Sequence, residues 1–405
     1  MGVGFKAVAA LTGSAAIAMA AVPALSKGDS PPVARYTIDA GTSSGMAGMS
    51  GGGLGAAMSI MRGGSGQVVH ELALRLGSSR APAGAPKADH FMPAAAQLGA
   101  SVPLRSPERE QGGSYAPGSF PQGQTPKGRL QLFWGCGEHA PAGQPVVIDF
   151  AKMAKGQVPA GLFAQGVNLP DDWQIMASNS TTYGEWPNGR DSKAVRANAS
   201  LLGAHRVVST YAPEISFTLA DDFMPALQAR SASLPSGASR LIWNALPKGT
   251  GYYAWAIGAK NGAGGDADMV WWSSASTRQF GGALAGWLSP AAVAKLVAAN
   301  TVMPPTQTSC TIPVEVRKAG GEVLMTQLFG YGPQADFAYP PRPVNAQSAW
   351  KPEWIARVRF RSNTSLILGI GDMGASEPSE GTQPAAKPKC KGLKGIAMRA
   401  AGLCE

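Results

Sequence analysis

Residues 132–140, LFWGCGEHA, place Cys136, Glu138 and His139 within a few positions of one another. The Cys-x-x-His spacing can supply two ligands to a metal, and a thiol beside an imidazole can act as a nucleophile. A structural zinc needs four ligands, however, and the other histidines, His70, His90 and His205, stand in separate segments. Leu130, Leu132 and Trp134 alternate as in a strand that stops at Gly135, and APAG at 140–143 supplies a turn. The stretch therefore reads as a strand exit holding a structural cysteine, with no metal.

Other chemical motifs lack the setting their chemistry needs. Gly48-Met49-Ser50-Gly51-Gly52 matches a nucleophile elbow, but no strand precedes it to strain the serine outward. Gly51-x-Gly53-x-x-Ala56 imitates a dinucleotide fingerprint without a βαβ unit around it. Met46, Met49, Met58 and Met61, with His70, offer soft ligands suited to Cu(I), yet they sit in a Gly-rich stretch that reads as apolar docking segment. Asp266 and Asp268 are too few oxygen donors for calcium and suit a hairpin loop. The carboxylates Asp171, Asp172, Asp221 and Asp222, with Glu138 and His139, are the residues from which a secreted hydrolase would assemble a site.

Two patterns point to binding instead. In GYYAWAIGAK, Tyr252, Ala254 and Ala256 share one strand face while Tyr253, Trp255 and Ile257 share the other, and MVWWSS splits Trp271 from Trp272. With the Tyr252 face in the core, Tyr253, Trp255 and Trp271 form an aromatic stripe, either covered by a neighbouring segment or left as a platform for sugar rings or a protein partner. Along 354–361, Arg357, Arg359 and Arg361 alternate opposite Trp354, Val358 and Phe360, with guanidinium groups spaced about 7 Å apart. Such a row can meet the phosphates or carboxylates of an anionic polymer, and equally can keep an edge strand soluble.

The chain carries a net charge of +10, with Lys387, Lys389, Lys391, Lys394 and Arg399 crowding its tail. Residues 1–26 read as an export signal: Lys6, an apolar run from Ala7 to Leu25, and small residues around Ala20 and Ala24 for cleavage. A periplasmic or secreted location follows, which removes nucleic acid as an ordinary partner, and no later apolar run is long enough to span a membrane. Export puts Cys136, Cys310, Cys390 and Cys404 where disulfides persist. A helical tail would hold Cys390 and Cys404 about 21 Å apart. The expected Cys390–Cys404 bridge therefore needs a looped tail, with Cys136 and Cys310 either paired or free and buried.

Gly and Pro account for 52 and 32 of the 405 residues, and only 15 % are charged, which favours short strands and turns. Strands are expected at 145–150, 213–219, 240–246, 251–259, 269–276, 309–316, 322–330 and 354–361. QVVHELALRL is a further strand, and one helix begins at Ser289-Pro290. The sequence RLIWNALPKGTGYYAWAIGAK, with Trp243, Leu246-Pro247 and Gly251-Tyr252, resembles the second and third strands of a fibronectin type III or related immunoglobulin-like module. That resemblance implies a fold and no activity.

The expected architecture is mainly β, with one or two immunoglobulin-like antiparallel sandwiches, a short helix and long irregular segments. Its divisions are an irregular region with one strand at 27–128, a sandwich-like domain at 129–235, a fibronectin-like domain at 236–372 and a basic disordered tail at 373–405. The expected function is binding or organising a cell-envelope component (an anionic polymer, a glycan or a protein) without catalysis or cofactor. A secreted hydrolase is the alternative.

Overall fold

A computed structural model of the chain describes residues 29–46, 68–107, 128–154, 157, 174–261, 267–321, 323–343 and 349–368. The export signal, the Met49, Met58 and Met61 stretch, Asp171, Asp172, Asp266 and the tail with Cys390 and Cys404 lie outside them.

The molecule is mainly β. In chain order the strands are β1 Ala34–Gly45, β2 Val69–Ser78, β3 Ala88–Phe91, β4 Val102–Pro103, β5 Gly128–Trp134, β6 Val146–Asp149, β7 Thr182–Trp186 and β8 Gly203–Ser209. They continue with β9 Ile215–Leu219, β10 Ala229–Ser233, β11 Ser239–Trp243, β12 Gly251–Asn261, β13 Ala267–Ser273, β14 Ser309–Ile312, β15 Leu324–Tyr339 and β16 Trp354–Leu368. Helices are α1 Phe150–Ala154, α2 Pro290–Ala298 and α3 Val314–Gly320. None is long and apolar enough to cross a membrane.

One nine-stranded sheet, ordered β6-β5-β13-β12-β15-β16-β1-β2-β7, organises the fold. It is mixed, because β1 runs parallel to β16 and β5 parallel to β13. The large sheet draws strands from both sides of the boundaries expected at 128/129 and 235/236, since they come from 34–78, 128–149, 182–186 and 251–368 alike. Among its described residues the region 27–128 holds β1 to β4 and the first residue of β5. Two smaller sheets, β4-β3-β8-β9 and β10-β11-β14, share a single apolar core with one face of the large sheet. That face carries the even-numbered residues of β1, β2 and β16: Tyr36, Ile38, Leu72, Leu74, Leu76, Val358 and Phe360 are all buried there.

Local chemistry explains most boundaries. Ser289 accepts a hydrogen bond from the Ala292 amide and Pro290 opens the first turn, so α2 begins where the sequence puts it. The strand expected at 309–316 ends at Ile312, because Pro313 has no amide to donate and instead precedes α3. Strand β15 runs past Gly330 to Tyr339 through a bulge at Tyr331–Gln334. A Cβ on Gly332 would lie 2.7 Å from the Phe360 carbonyl, and Pro333 sits in the bulge where no ladder bond is required of it. Strands β11 and β12 enter different sheets, and Trp243 and Tyr252 keep their rings 5.5 Å apart across that corner.

Between the large sheet and β3/β8 lies a buried hydrogen-bonded chain. Tyr36 Oη is 2.7 Å from His90 Nδ1, His90 Nε2 is 3.0 Å from His205 Nδ1, and His205 Nε2 is 2.7 Å from the Leu201 carbonyl. A carbonyl only accepts, so His205 donates from Nε2, His90 donates to His205, and the tyrosine donates to His90. All members are neutral in this arrangement. Burial, and then the neighbouring His205, push the His90 imidazole well below its ordinary 6.5, and burial also lowers His205. The folded state therefore refuses protons that the unfolded chain accepts. Stability is fully present above pH 6.5 and is lost as pH falls from there toward the folded-state values. Urea midpoints measured from pH 8 to pH 5 should decline below about pH 6.5, and the decline should shrink in His90→Gln. A flat profile would show that the chain is not held neutral.

Candidate functional site

The opposite face of the large sheet is built from the odd-numbered residues of β1 and their partners, and it is charged. Register sets Arg35 between Gly77 and Ile355, Thr37 between Arg75 and Arg357, Asp39 between Ala73 and Arg359, and Gly41 between Glu71 and Arg361. Asp336 on β15 continues the Thr37 row on one side and Glu185 on β7 on the other. Positive and negative side chains thus interleave across five strands.

Two segments lie on this face. Residues 174–181 cross over Gly77, where a Cβ would come within 2.6 Å of Ile175. The loop carrying Trp287 reaches Gly41, where a Cβ would be 3.1 Å from the edge of the indole. Arginines hold that loop down: Arg359 donates to the Trp287 carbonyl at 2.8 Å, Arg361 donates to the Ala285 carbonyl, and the Arg361 guanidinium stacks on the Trp287 ring at 4.1 Å.

The row Arg357, Arg359 and Arg361 thus lies on the face expected of it, but on a central strand and with acidic partners. Arg357 pairs with Asp336 at 2.8 Å, Arg359 with the fully buried Asp39 at 2.7 Å, and Arg361 with Glu71 at 3.5 Å. The edge-strand reading is corrected accordingly, since β16 lies between β15 and β1. Cutting the three arginines back to serine would strip buried carboxylates of their counter-charges, so that change threatens the fold itself.

The aromatic stripe is covered. Tyr253 packs with Leu284, Leu288, Val293 and Leu296 from α2 and the segment before it, and Trp271 packs with Leu132 and Ile148. Trp255 bridges both clusters and stacks on Trp271 at 4.8 Å.

The remaining candidates are scattered. Cys136 is bonded to Cys310, and His139 pairs with Glu315 at 3.0 Å. Asp221 pairs with Lys248, while Asp222 accepts from the Leu201 and Phe223 amides at 2.8 Å. Asp268 takes a two-pronged bond from Arg129, at 3.1 and 2.6 Å. No cluster of three metal-ligating side chains occurs among the described residues.

Two residues overlooked in the sequence matter more. Arg35 opens into a pocket of about 750 Å³ lined by Pro31, Pro32, Gly77, Ser79, Ser178, Asn179, Ser180 and Thr181. Its Nη2 donates to the carbonyl and the side-chain oxygen of Asn179, both at 3.1 Å, and no carboxylate pairs with it among the described residues. Burial lowers its pKa, which marks a charge short of solvent. Further along β1 a smaller cleft of about 270 Å³ is lined by Thr37, Asp39, Arg75, Gln174, Ile175, Met176, Trp287 and Arg359. The sequence signal for both was the alternation of ARYTID at 34–39.

Comparison with known proteins gives no further guide: no family model, no curated protein and no solved structure matches the chain.

Proposed function

We propose that this chain is an exported, non-catalytic protein that binds an acidic, hydroxyl-rich ligand of the cell envelope, with Arg35 as its anion-binding group. The observation that carries this reading is the half-buried guanidinium of Arg35, anchored to Asn179 and facing a pocket walled by Ser79, Ser178, Ser180 and Thr181. A planar fork suits carboxylate or phosphate, and short hydroxyl side chains suit sugar hydroxyls. The leader-like residues 1–26 and the Cys136–Cys310 bridge support an exported location. In this reading the likeness of the β11–β12 corner to a fibronectin type III or immunoglobulin-like module describes scaffold and not site.

The test is retention on immobilised polygalacturonate across a salt series. Wild type should elute later than Arg35→Ala, with affinity reduced roughly 10- to 100-fold in the variant, the size expected for one charge-assisted hydrogen-bonded contact. Retention should fall as salt rises. Identical elution of the two proteins would remove Arg35 as the binding group.

A further inference from the structure

The cleft beside the Arg35 pocket is a second built site. Thr37 is 1 % exposed, lines the cleft, and its hydroxyl has no hydrogen-bond partner. A buried hydroxyl with no protein partner at the wall of a polar cleft is a group that a ligand can satisfy. The charges around it are already satisfied by one another. Arg359 donates to both Asp39 oxygens at 2.7 and 3.1 Å, and Arg75 donates to Asp39 at 2.7 Å. With its carboxylate so engaged, the cleft has no call for a metal or an organic cation, and its arginines are already spent on Asp39. What it still offers is neutral: the Thr37 hydroxyl, the Gln174 amide, and an apolar wall of Ile175, Met176 and Trp287. Aromatic and aliphatic walls with a few fixed hydrogen-bonding groups suit an uncharged sugar ring. The volume, below the roughly 300–1,000 Å³ usual for drug-sized ligands, suits one ring.

Position links this cleft to its neighbour. Arg35 and Thr37 stand on the same face of β1, two residues apart, which is about 7 Å. Segment 174–181 walls both spaces, with Ile175 and Met176 toward the cleft and Ser178 to Thr181 toward the pocket. We propose that the Thr37 cleft takes the neutral sugar next to the acidic one, so that the ligand is an acidic oligosaccharide with at least one uncharged residue beside its uronic acid. This rests on the Arg35 reading and adds the substrate class to it.

Calorimetric titration with two probes, glucuronic acid and the disaccharide glucuronosyl-N-acetylglucosamine, tests it. Wild type should bind the disaccharide about five- to tenfold more tightly than the monosaccharide, the worth of a hydrogen bond plus apolar contact. Thr37→Val should erase that advantage and leave glucuronic acid binding unchanged, while Thr37→Ser should keep it. Valine matches threonine in shape and suits a strand, and Met176→Ala, at an exposed position, trims the same cleft without touching the core. An advantage that survives both Thr37→Val and Met176→Ala, or that wild type never shows, overturns the proposal. Loss of glucuronic acid binding in Arg35→Ala supports the pocket on which it rests. If glucuronic acid does not bind wild type at all, the Arg35 reading fails, and the methyl glycoside of N-acetylglucosamine decides the cleft separately. Binding of that glycoside that Thr37→Val abolishes sustains the cleft, and its absence overturns the cleft too.

Discussion

Replacing Asp39 by alanine should cost about 3–5 kcal/mol of folding stability, the usual penalty for removing one partner of a buried ion pair. The carboxylate is fully buried and accepts from Arg359 through both oxygens and from Arg75. Arg359 is only 15 % exposed and also holds the Trp287 carbonyl, so it cannot swing into water when its partner goes. Arg75 is 34 % exposed and can relax outward, which places most of the penalty on Arg359. Removing the stranded charge as well should therefore recover much of the loss: Asp39→Ala/Arg359→Met should be more stable than Asp39→Ala alone. Urea midpoints and slopes for the two single variants and the double variant measure the coupling. If Asp39→Ala lies within about 0.5 kcal/mol of wild type, the size of an ordinary surface change, the carboxylate does not organise this face.

The strands of the second half were legible because their apolar alternation is strong and their breaks are marked by Gly and Pro. Tyr252 and Tyr253 do face opposite ways, Trp354, Val358 and Phe360 do point into the core, and Ser289 does cap its helix. Strand β1 escaped notice because it ends in AGTSSG, a composition that suggests a linker. Its order comes from outside the segment: Ser44 donates to the Leu227 carbonyl, Thr42 to the Met224 carbonyl, and β16 pairs along its whole length. Those partners stand roughly 180 to 320 residues away, and no local pattern reports them. The same non-locality hid the site. Three arginines in alternation read as a surface stripe, since the Asp39, Glu71 and Asp336 that neutralise them lie on three other strands. Arg35, a cation with no carboxylate partner among the described residues, stood alone in the sequence and drew no attention.

The two faces of the large sheet divide the work of the fold. Apolar residues on one face join all three sheets into one core. The other face is covered by apolar clusters toward β5, β12 and β13, and by charge pairs under β1, β2 and β16. The two spaces on this face lie along β1 beside those charge pairs, with Asp39, Arg75 and Arg359 lining the smaller one.

Removing the Cys136–Cys310 bridge should produce the other large effect. The bond joins residues 174 apart in sequence, and closing so long a loop restricts the unfolded chain far more than the native one. Loss of a native disulfide costs about 2–5 kcal/mol, and a loop of this length belongs at the upper end. The native geometry would survive its removal, because the same junction is tied by other bonds: Gly137 donates to the Thr311 carbonyl at 2.9 Å, Val314 to the Glu138 carbonyl at 3.0 Å, and His139 pairs with Glu315. The double variant Cys136→Ser/Cys310→Ser should therefore keep the wild-type circular dichroism spectrum and lose midpoint. The stretch GCGEHA earns its cysteine in this way, as one end of a clamp between the strand exit of β5 and strand β14. Wild type unfolded in reductant should fall to the midpoint of the double variant in the same reductant, while the double variant should respond to reductant only as far as Cys390 and Cys404 contribute. That comparison separates this bridge from Cys390 and Cys404, which both proteins retain. A double variant that unfolds at the wild-type midpoint would mean that the unfolded chain is already compact enough around this junction for the bridge to remove little freedom.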